Sequence, residues 1–274
     1  MDLPQFALHA ALEERHWWFR GRRTILRRLL HALIEPDGKH LIVDVGCGTG
    51  GNTAALATEY RMIGIDPMPE AIKSAKQHFP KTEFRTGYAP QDVPEIADAD
   101  GVLIMDVLEH IEDDFRFVSE ILAAMKPGAY LFIMATGDPA LWGIHDRGFD
   151  HYRRYTLRRL QLLWEGLPVK ELLTSYCNAR LYPSVKIARW MSRISRKSLG
   201  GAQTDLSLPP KPINTLFYTI FAGESRRLER VLKKRAKPYR RGVSVFAVLE
   251  RKDGTLIPRN FPENLERDST PWRK

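Results

Sequence analysis

The sequence predicts an α/β protein: a doubly wound, mostly parallel seven-stranded sheet with an N-terminal helical extension and a helical insertion before the last strand. Three observations carry that expectation. Short apolar, β-branched runs alternate with segments of helical period from Leu41 to Tyr176. A glycine turn follows the first of those runs directly. Roughly 65 residues separate the sixth run from the seventh, far more than a hairpin needs, so an insertion lies there.

The elements follow in order. Gln5–Leu33 reads as one helix or two short ones, with Arg22, Arg23, Arg27 and Arg28 alternating with Ile25, Leu26, Leu29 and Leu30, and Asp37-Gly38 closes it. Strand 41–45 leads to helix 51–59, strand 61–65, helix 69–78, strands 82–86 and 101–105, helix 113–125 and strand 129–135. Thr156 suits a helix N-cap, with the helix running to about Gly166 before a strand over 169–176. The last strand is VSVFAVLE, Val243–Glu250, and Arg251–Lys274 is a polar tail. The chain thus divides into a helical cap (1–36), a core (37–176), a basic helical insertion (177–242) and a last strand with its tail (243–274), one domain overall.

Composition narrows the class. The chain has 274 residues, enough for a buried α/β core, and a formal charge of +9. Its two cysteines, Cys47 and Cys177, make no disulfide framework and lack metal-ligand spacing, so no metal is expected. The N-terminus places acids and a histidine where a signal peptide needs an apolar core, and no segment approaches a membrane span. A cytoplasmic protein is the expectation.

The segment HLIVDVGCGTGG, His40–Gly51, followed by MIGIDP, Met62–Pro67, outlines an adenosine-cofactor site. Gly46, Gly48 and Gly50 remove every second Cβ, which lets the backbone turn sharply and approach a ligand in front of the next helix. Asp66 ends the second strand about 20 residues later, the spacing at which a carboxylate meets ribose hydroxyls.

The order of these pieces resembles the class I S-adenosylmethionine-dependent methyltransferases rather than the nicotinamide dehydrogenases. Asp44 stands where the D-x-G-x-G-x-G signature has its acid, GVLIMDVLEHI at Gly101–Ile111 resembles the D-V-L-E-H form of the strand-four motif, and ILAAMKPGAYLFIMAT at Ile121–Thr136 resembles the helix, K-P-G turn and fifth strand. The resemblance covers about the first 160 residues. It implies a Rossmann-like fold, S-adenosylmethionine as cofactor with S-adenosylhomocysteine as product, and a cofactor site of Asp44, Gly46, Cys47, Gly48, Gly50, Asp66, Pro67, Tyr88, Asp106 and Val107. Where many relatives have an acid to hold adenine, this chain has Tyr88. Backbone groups and stacking on Tyr88, or Asp92 further along, are the alternatives.

GDPALWGIHDRGFDHYRRYTLRRL, Gly137–Leu160, follows a strand's carboxyl end and gathers polar groups, as functional loops do. With HWWFRGRR, His16–Arg23, it resembles a branch of bacterial methyltransferases that pair a W-W-F-x-x-R start with an H-x-R-R-Y-T segment. His151, His145 and His110 are the candidate bases for a hydroxyl acceptor. Arg153, Arg154, Tyr155, Trp18 and Arg20 are the candidate substrate contacts, the two adjacent arginines as a clamp for phosphate or carboxylate. The competing reading makes these histidines hydrogen-bonded loop residues and the aromatics of His16–Phe19 an anchor for their helix.

In the insertion, Ile187, Trp190, Met191 and Ile194 share one helical face, while Lys186, Arg189, Arg193, Arg196 and Lys197 share the other. Ile213–Arg235 reads as a second helix, apolar first and cationic later. Either the apolar faces pack on the sheet and the arginines are a solvated surface, or the pair rests on an anionic membrane. The function expected is O-methylation of a small metabolite, a sugar or a lipid-linked glycan intermediate. An RNA methyltransferase is disfavoured, because strand four lacks an N-P-P-Y sequence and no RNA-binding module is visible. A noncatalytic adaptor at a membrane is the other alternative, since fold alone does not fix function.

Overall fold

In the computed structural model, residues 11–195 and 207–260 are described. Seven strands, β1 (Leu41–Val45), β2 (Arg61–Asp66), β3 (Glu83–Thr86), β4 (Gly101–Met105), β5 (Tyr130–Thr136), β6 (Val169–Cys177) and β7 (Ser244–Arg251), form one sheet in the order β3-β2-β1-β4-β5-β7-β6. β1 to β5 pair in parallel, and β7 enters antiparallel between β5 and β6. The strand order reverses at β1 and β4, so the crevice of a doubly wound sheet opens at their carboxyl ends.

The helices are α1 (Trp17–His31), α2 (Gly51–Leu56), α3 (Pro69–His78), α4 (Asp114–Ala124), α5 (Ile144–Gly148), α6 (Leu157–Gln161), α7 (Tyr182–Ser195), α8 (Lys211–Ala222) and α9 (Ser225–Leu232). Strand periodicity divides the core into two layers. Val43, Val45, Ile63, Ile65, Val102 and Ile104 pack with Phe115, Val118 and Leu122 of α4. Ile42, Met62, Leu103, Met105, Phe132 and Met134 face the other way, onto Ile25, Leu26 and Leu29 of α1 and Phe221 and Leu228 of α8 and α9. The N-terminal extension therefore completes one face of the sheet.

Close approach explains a glycine in that layer. A Cβ on Gly21 of α1 would lie 2.4 Å from Cδ1 of Phe221, so the α1–α8 crossing admits no side chain there.

Three boundaries differ from the sequence expectation. The helix expected over 213–235 is two, broken at Gly223 and Glu224, because Glu224 turns inward, fully buried, and its carboxylate accepts the Arg180 N–H at 2.8 Å. The helix after Thr156 stops at Gln161; Thr156 caps it by accepting from Arg159 N. α2 ends at Leu56 rather than near residue 59.

α7 corrects the reading of its faces. Arg189 is buried at 7% exposure, whereas Ile187, Trp190 and Met191 are 60%, 61% and 56% exposed. The apolar face does not pack on the sheet; the arginine faces inward because a buried carboxylate, Asp146, awaits it. The expectations for residues 5–10, for Arg196 and Lys197, and for the tail from 261 lie outside the described residues, as do the side chains of Arg193 and Ile194.

Candidate functional site

The glycine turn does what its spacing demands. Gly46, Gly48 and Gly50 have φ of 70°, 54° and 88°, a region closed to most side chains. A Cβ at Gly46 would lie 2.4 Å from Cγ2 of Val107 and one at Gly50 2.6 Å from the Phe84 ring, while one at Gly48 would meet nothing within 4 Å. Two glycines thus serve packing, and the middle one borders open space where a ligand can approach. Asp66 organises the turn: its carboxylate accepts the Gly48 and Met68 N–H groups, each at 2.9 Å.

Asp44 is buried and accepts the Thr53 hydroxyl at 2.6 Å, and burial pushes its carboxyl up to about 6. Burial also pushes the Cys47 thiol well up, which suits a small packing residue rather than a nucleophile. Pro67 is exposed behind Asp66, and Tyr88 is 68% exposed on the loop after β3. Asp92 accepts the Tyr88 N–H at 2.8 Å, so this acid shapes the loop that carries the tyrosine.

The N-terminal segment adds a contact that sequence reasoning missed. Glu13 accepts the Thr49 hydroxyl at 2.6 Å and the Gly51 N–H at 2.9 Å, fastening the segment before α1 to the glycine turn. One of two adjacent glutamates upstream of a helix gave no signal of this.

Next to the turn, beyond the carboxyl ends of β4 and β5, lies a cavity of about 340 Å³. Asp106, Glu109, His110, Thr136, His145 and His151 line it together with Trp17, Trp18, Phe149, Arg154, Asn178 and Phe217. The three expected histidines therefore meet, although up to 41 residues separate them in sequence: the His110 and His151 ring centroids are 4.7 Å apart and those of His145 and His151 6.1 Å. Nδ1 of His151 lies 3.1 Å from the Asp146 carboxylate. Burial lowers the proton affinity of His151 and lowers that of His145 further, so both are neutral at pH 7.

Of the expected substrate contacts, only Trp18 and Arg154 reach the cavity. The anion clamp is not assembled. Arg153 donates to the carbonyls of Ile111 and Glu112, at 2.5 and 2.7 Å, and lies 3.4 Å from Asp114. Arg154 donates to Asp146 at 2.7 Å and to the Gly137 carbonyl at 2.9 Å. Tyr155 is fully buried and donates to Asp114 at 2.7 Å. Arg20 stacks on Tyr218 at 4.4 Å, outside the cavity. The H-x-R-R-Y segment is an internal brace because its cations meet buried acids that no local pattern reveals.

Sequence reasoning assigned no role to Arg22, Asp146 or Arg189. Arg22 stacks against Trp18 and pairs with Asp106, which has a positive φ of 60°. Asp146, wholly buried, accepts from Arg154, Arg189 and the Gly143 N–H. In the N-terminal motif, Trp17 packs edge-on against Phe217 and Phe221, as an anchor would, and both Trp17 and Trp18 line the cavity. Among the described residues, no group of three or more His, Cys, Asp or Glu side chains is arranged to hold a metal ion.

A second concavity of about 980 Å³, lined by Arg28, Arg180, Arg226, Arg227, Arg230 and Lys237 among others, shares no lining residue with this cavity. No helix among the described residues is long and apolar enough to cross a membrane.

Comparison with known proteins agrees with this geometry. Residues 43–133 match the methyltransferase domain family. The chain is 30% identical over 127 residues to a probable S-adenosylmethionine-dependent methyltransferase of Mycolicibacterium smegmatis, covering 46% of this chain and 47% of the relative. It is 37% identical over 107 residues to a ubiquinone biosynthesis O-methyltransferase of Methylobacterium sp., covering 37% and 43%. The chain thus spans about half the length of these curated relatives. Among solved structures, the plantazolicin methyltransferase BpumL in complex with SAH shares the fold, with a TM-score of 0.56 and 14% identity over 92% of this chain and 91% of that one.

Proposed function

We propose that this chain, which belongs to the class I S-adenosylmethionine-dependent methyltransferases through its core, methylates an oxygen of a small molecule held in the cavity beside the glycine turn. The observation that carries the reading is the abutment of the two sites: Val107 packs against Gly46 while its neighbour Asp106 lines the cavity. The residues suit the cofactor. Gly48 leaves a cradle that a Cβ would enter, Asp66 sets an acid at the end of β2, and Tyr88 offers an exposed ring after β3. When bound there, S-adenosylmethionine supplies an activated methyl group on a sulfonium that leaves as a neutral thioether.

The protein's own task is then alignment and exclusion of water. Trp17, Trp18, Phe149 and Phe217 give the acceptor apolar walls, and His110 together with the neutral His145 and His151 are candidate proton acceptors for a hydroxyl. Asp146 holds Nδ1 of His151, which leaves Nε2 as the nitrogen able to take a proton.

The exposed apolar side chains favour an acceptor that is itself lipid-linked. Six of the eight large apolar residues exposed among the described residues, Ile187, Trp190, Met191, Leu208, Ile213 and Leu216, belong to the insertion. The same helices wall the cavity through Val185, Ala188 and Phe217. An interfacial resting place for α7 and α8 would bring a lipid-borne group to the cavity mouth.

Calorimetric titration with S-adenosylmethionine and S-adenosylhomocysteine tests the premise. Binding by the wild type that weakens at least about tenfold in Asp66→Ala is expected, since charged hydrogen bonds are worth about 1.5–3 kcal/mol. No binding by the wild type would sink the reading.

A further inference from the structure

Three of the residues that line the cavity carry a buried oxygen with no hydrogen-bond partner in the protein: Oε2 of Glu109, Oδ1 of Asp106 and Oδ1 of Asn178. Buried acceptors left unpaired are costly, and a cavity lined with them is complementary to a ligand that donates. We propose that Glu109 receives the hydroxyl hydrogen of the methyl acceptor, so that the cavity takes a hydroxyl, not a carboxylate or phosphate, at this end. The inference rests on the methyltransferase reading above and adds the chemistry of the substrate's reacting end.

Glu109 is held for that role from both sides. Its Oε1 accepts the Thr136 N–H at 3.2 Å, and its backbone carbonyl accepts the Tyr152 N–H at 2.7 Å. Only Oε2 remains, with the residue 1% exposed. The charged groups around it do not favour an anion. Asp106 lies on the same turn, and its cation, Arg22, arrives from α1 already paired with it. Arg154, from the loop after β5, faces Glu109 but spends its Nε on Asp146, as Arg189 of α7 spends a terminal nitrogen. His110, His145 and His151 complete the surroundings, and burial holds the latter two neutral.

The order of proton affinities supports the assignment. Burial, with the Asp106 charge beside it, pushes the Glu109 carboxyl up to about 8, whereas His145 and His151 are lowered. An ionised Glu109 is the strongest base of these three. The hydroxyl proton passes to Oε2, and the oxygen's electron pair is left for its bond to the incoming methyl group.

The test uses catechol as a hydroxyl probe and benzoate as an anion on the same ring, titrated calorimetrically into the full chain and into Glu109→Gln between about pH 6 and about pH 9. The glutamine keeps an oxygen for Thr136 N–H, and circular dichroism checks its fold. Catechol affinity of the wild type is expected to rise about tenfold per pH unit and level above about pH 8, and the slope disappears in Glu109→Gln. Above about pH 8, where Glu109 is ionised, benzoate is expected to bind the wild type at least about tenfold more weakly than catechol, with the gap closing in the variant. A flat catechol profile, equal benzoate binding above about pH 8, a slope that survives in Glu109→Gln, or no uptake of catechol would each overturn the proposal. Should the variant fail to fold, the wild-type slope and the benzoate comparison decide. S-adenosylhomocysteine titrated into the same samples separates the two readings. Its failure to bind removes the methyltransferase premise, while its binding beside a flat catechol profile removes only the role of Glu109.

Discussion

Arg189 on α7 reaches Asp146 on α5 at 3.1 Å, with 9% and 0% of their side chains exposed, and so pins the insertion to the loop that carries His145 and His151. Asp146 also neutralises Arg154. Asp146→Asn removes the anion from two buried guanidinium groups at once, and breaking one buried pair costs about 3–5 kcal/mol. A lower midpoint in urea denaturation is expected, with faster hydrogen exchange in α7. A midpoint within error of the wild type would show that the pair does not hold the helix.

His16 supplies a pH-dependent contribution at the start of α1. Its Nδ1 accepts the Trp18 N–H at 3.2 Å and its Nε2 lies 3.1 Å from the Ser207 carbonyl, a pattern that only the neutral ring satisfies. Burial lowers its proton affinity to about 4 from an ordinary 6.5. The unfolded chain therefore binds this proton first on acidification: the stabilisation is present above about pH 6.5 and is lost as pH falls toward about 4, amounting to about 3 kcal/mol. Asn at this position can still accept from Trp18 N–H without titrating, so His16→Asn should flatten the stability profile in that window. Parallel wild-type and variant slopes in urea titrations at several pH values would contradict this.

The buried acids act with the opposite sign. Asp44, raised to about 6, favours the folded state below the unfolded carboxylate range near 3.8 and ceases to do so as pH rises through about 6. Asp44→Asn should therefore gain stability relative to wild type on going from about pH 4 to about pH 7. Thermal unfolding of both proteins across that range measures it.

Gly21→Ala separates helix propensity from packing. In an exposed helix the change would gain up to about 1 kcal/mol. Here the added methyl would lie 2.4 Å from the Phe221 ring in a filled layer, so a loss of about 1–3 kcal/mol is expected. An unchanged or higher melting temperature would mean that α8 yields at this crossing.

The exposed face of α7 gives a test of the lipid-linked reading. Trp190→Glu combined with Met191→Glu changes two side chains that are more than half exposed, so folding should be unaffected. The wild type is expected to sediment with phosphatidylglycerol vesicles more than with phosphatidylcholine vesicles, and the double variant with neither. Equal sedimentation of the wild type and the variant would remove the membrane contact from the account.

What the sequence determined by itself is the frame and the cofactor end. Short, nearly continuous apolar runs suit strands buried on both faces of a parallel sheet, and β1 and β4 occupy the expected positions, residues 41–45 and 101–105. A glycine turn likewise announces itself locally, because positive φ at residues 46, 48 and 50 is a property of single residues. Tertiary structure alone decided which charges act. Arg153, Arg154 and Arg189 look like solvated or ligand-binding cations in the chain, yet each faces a buried acid from a distant segment. Glu109 admitted two readings in the chain, a substrate-facing group at the end of strand four or a turn residue; β5 holds one of its oxygens, and the other is buried with no partner in the protein. A local pattern encodes which backbone shape a residue permits. The partner that neutralises a charge, or leaves an oxygen unpaired, arrives from elsewhere in the chain and is fixed only when the sheet brings those segments together.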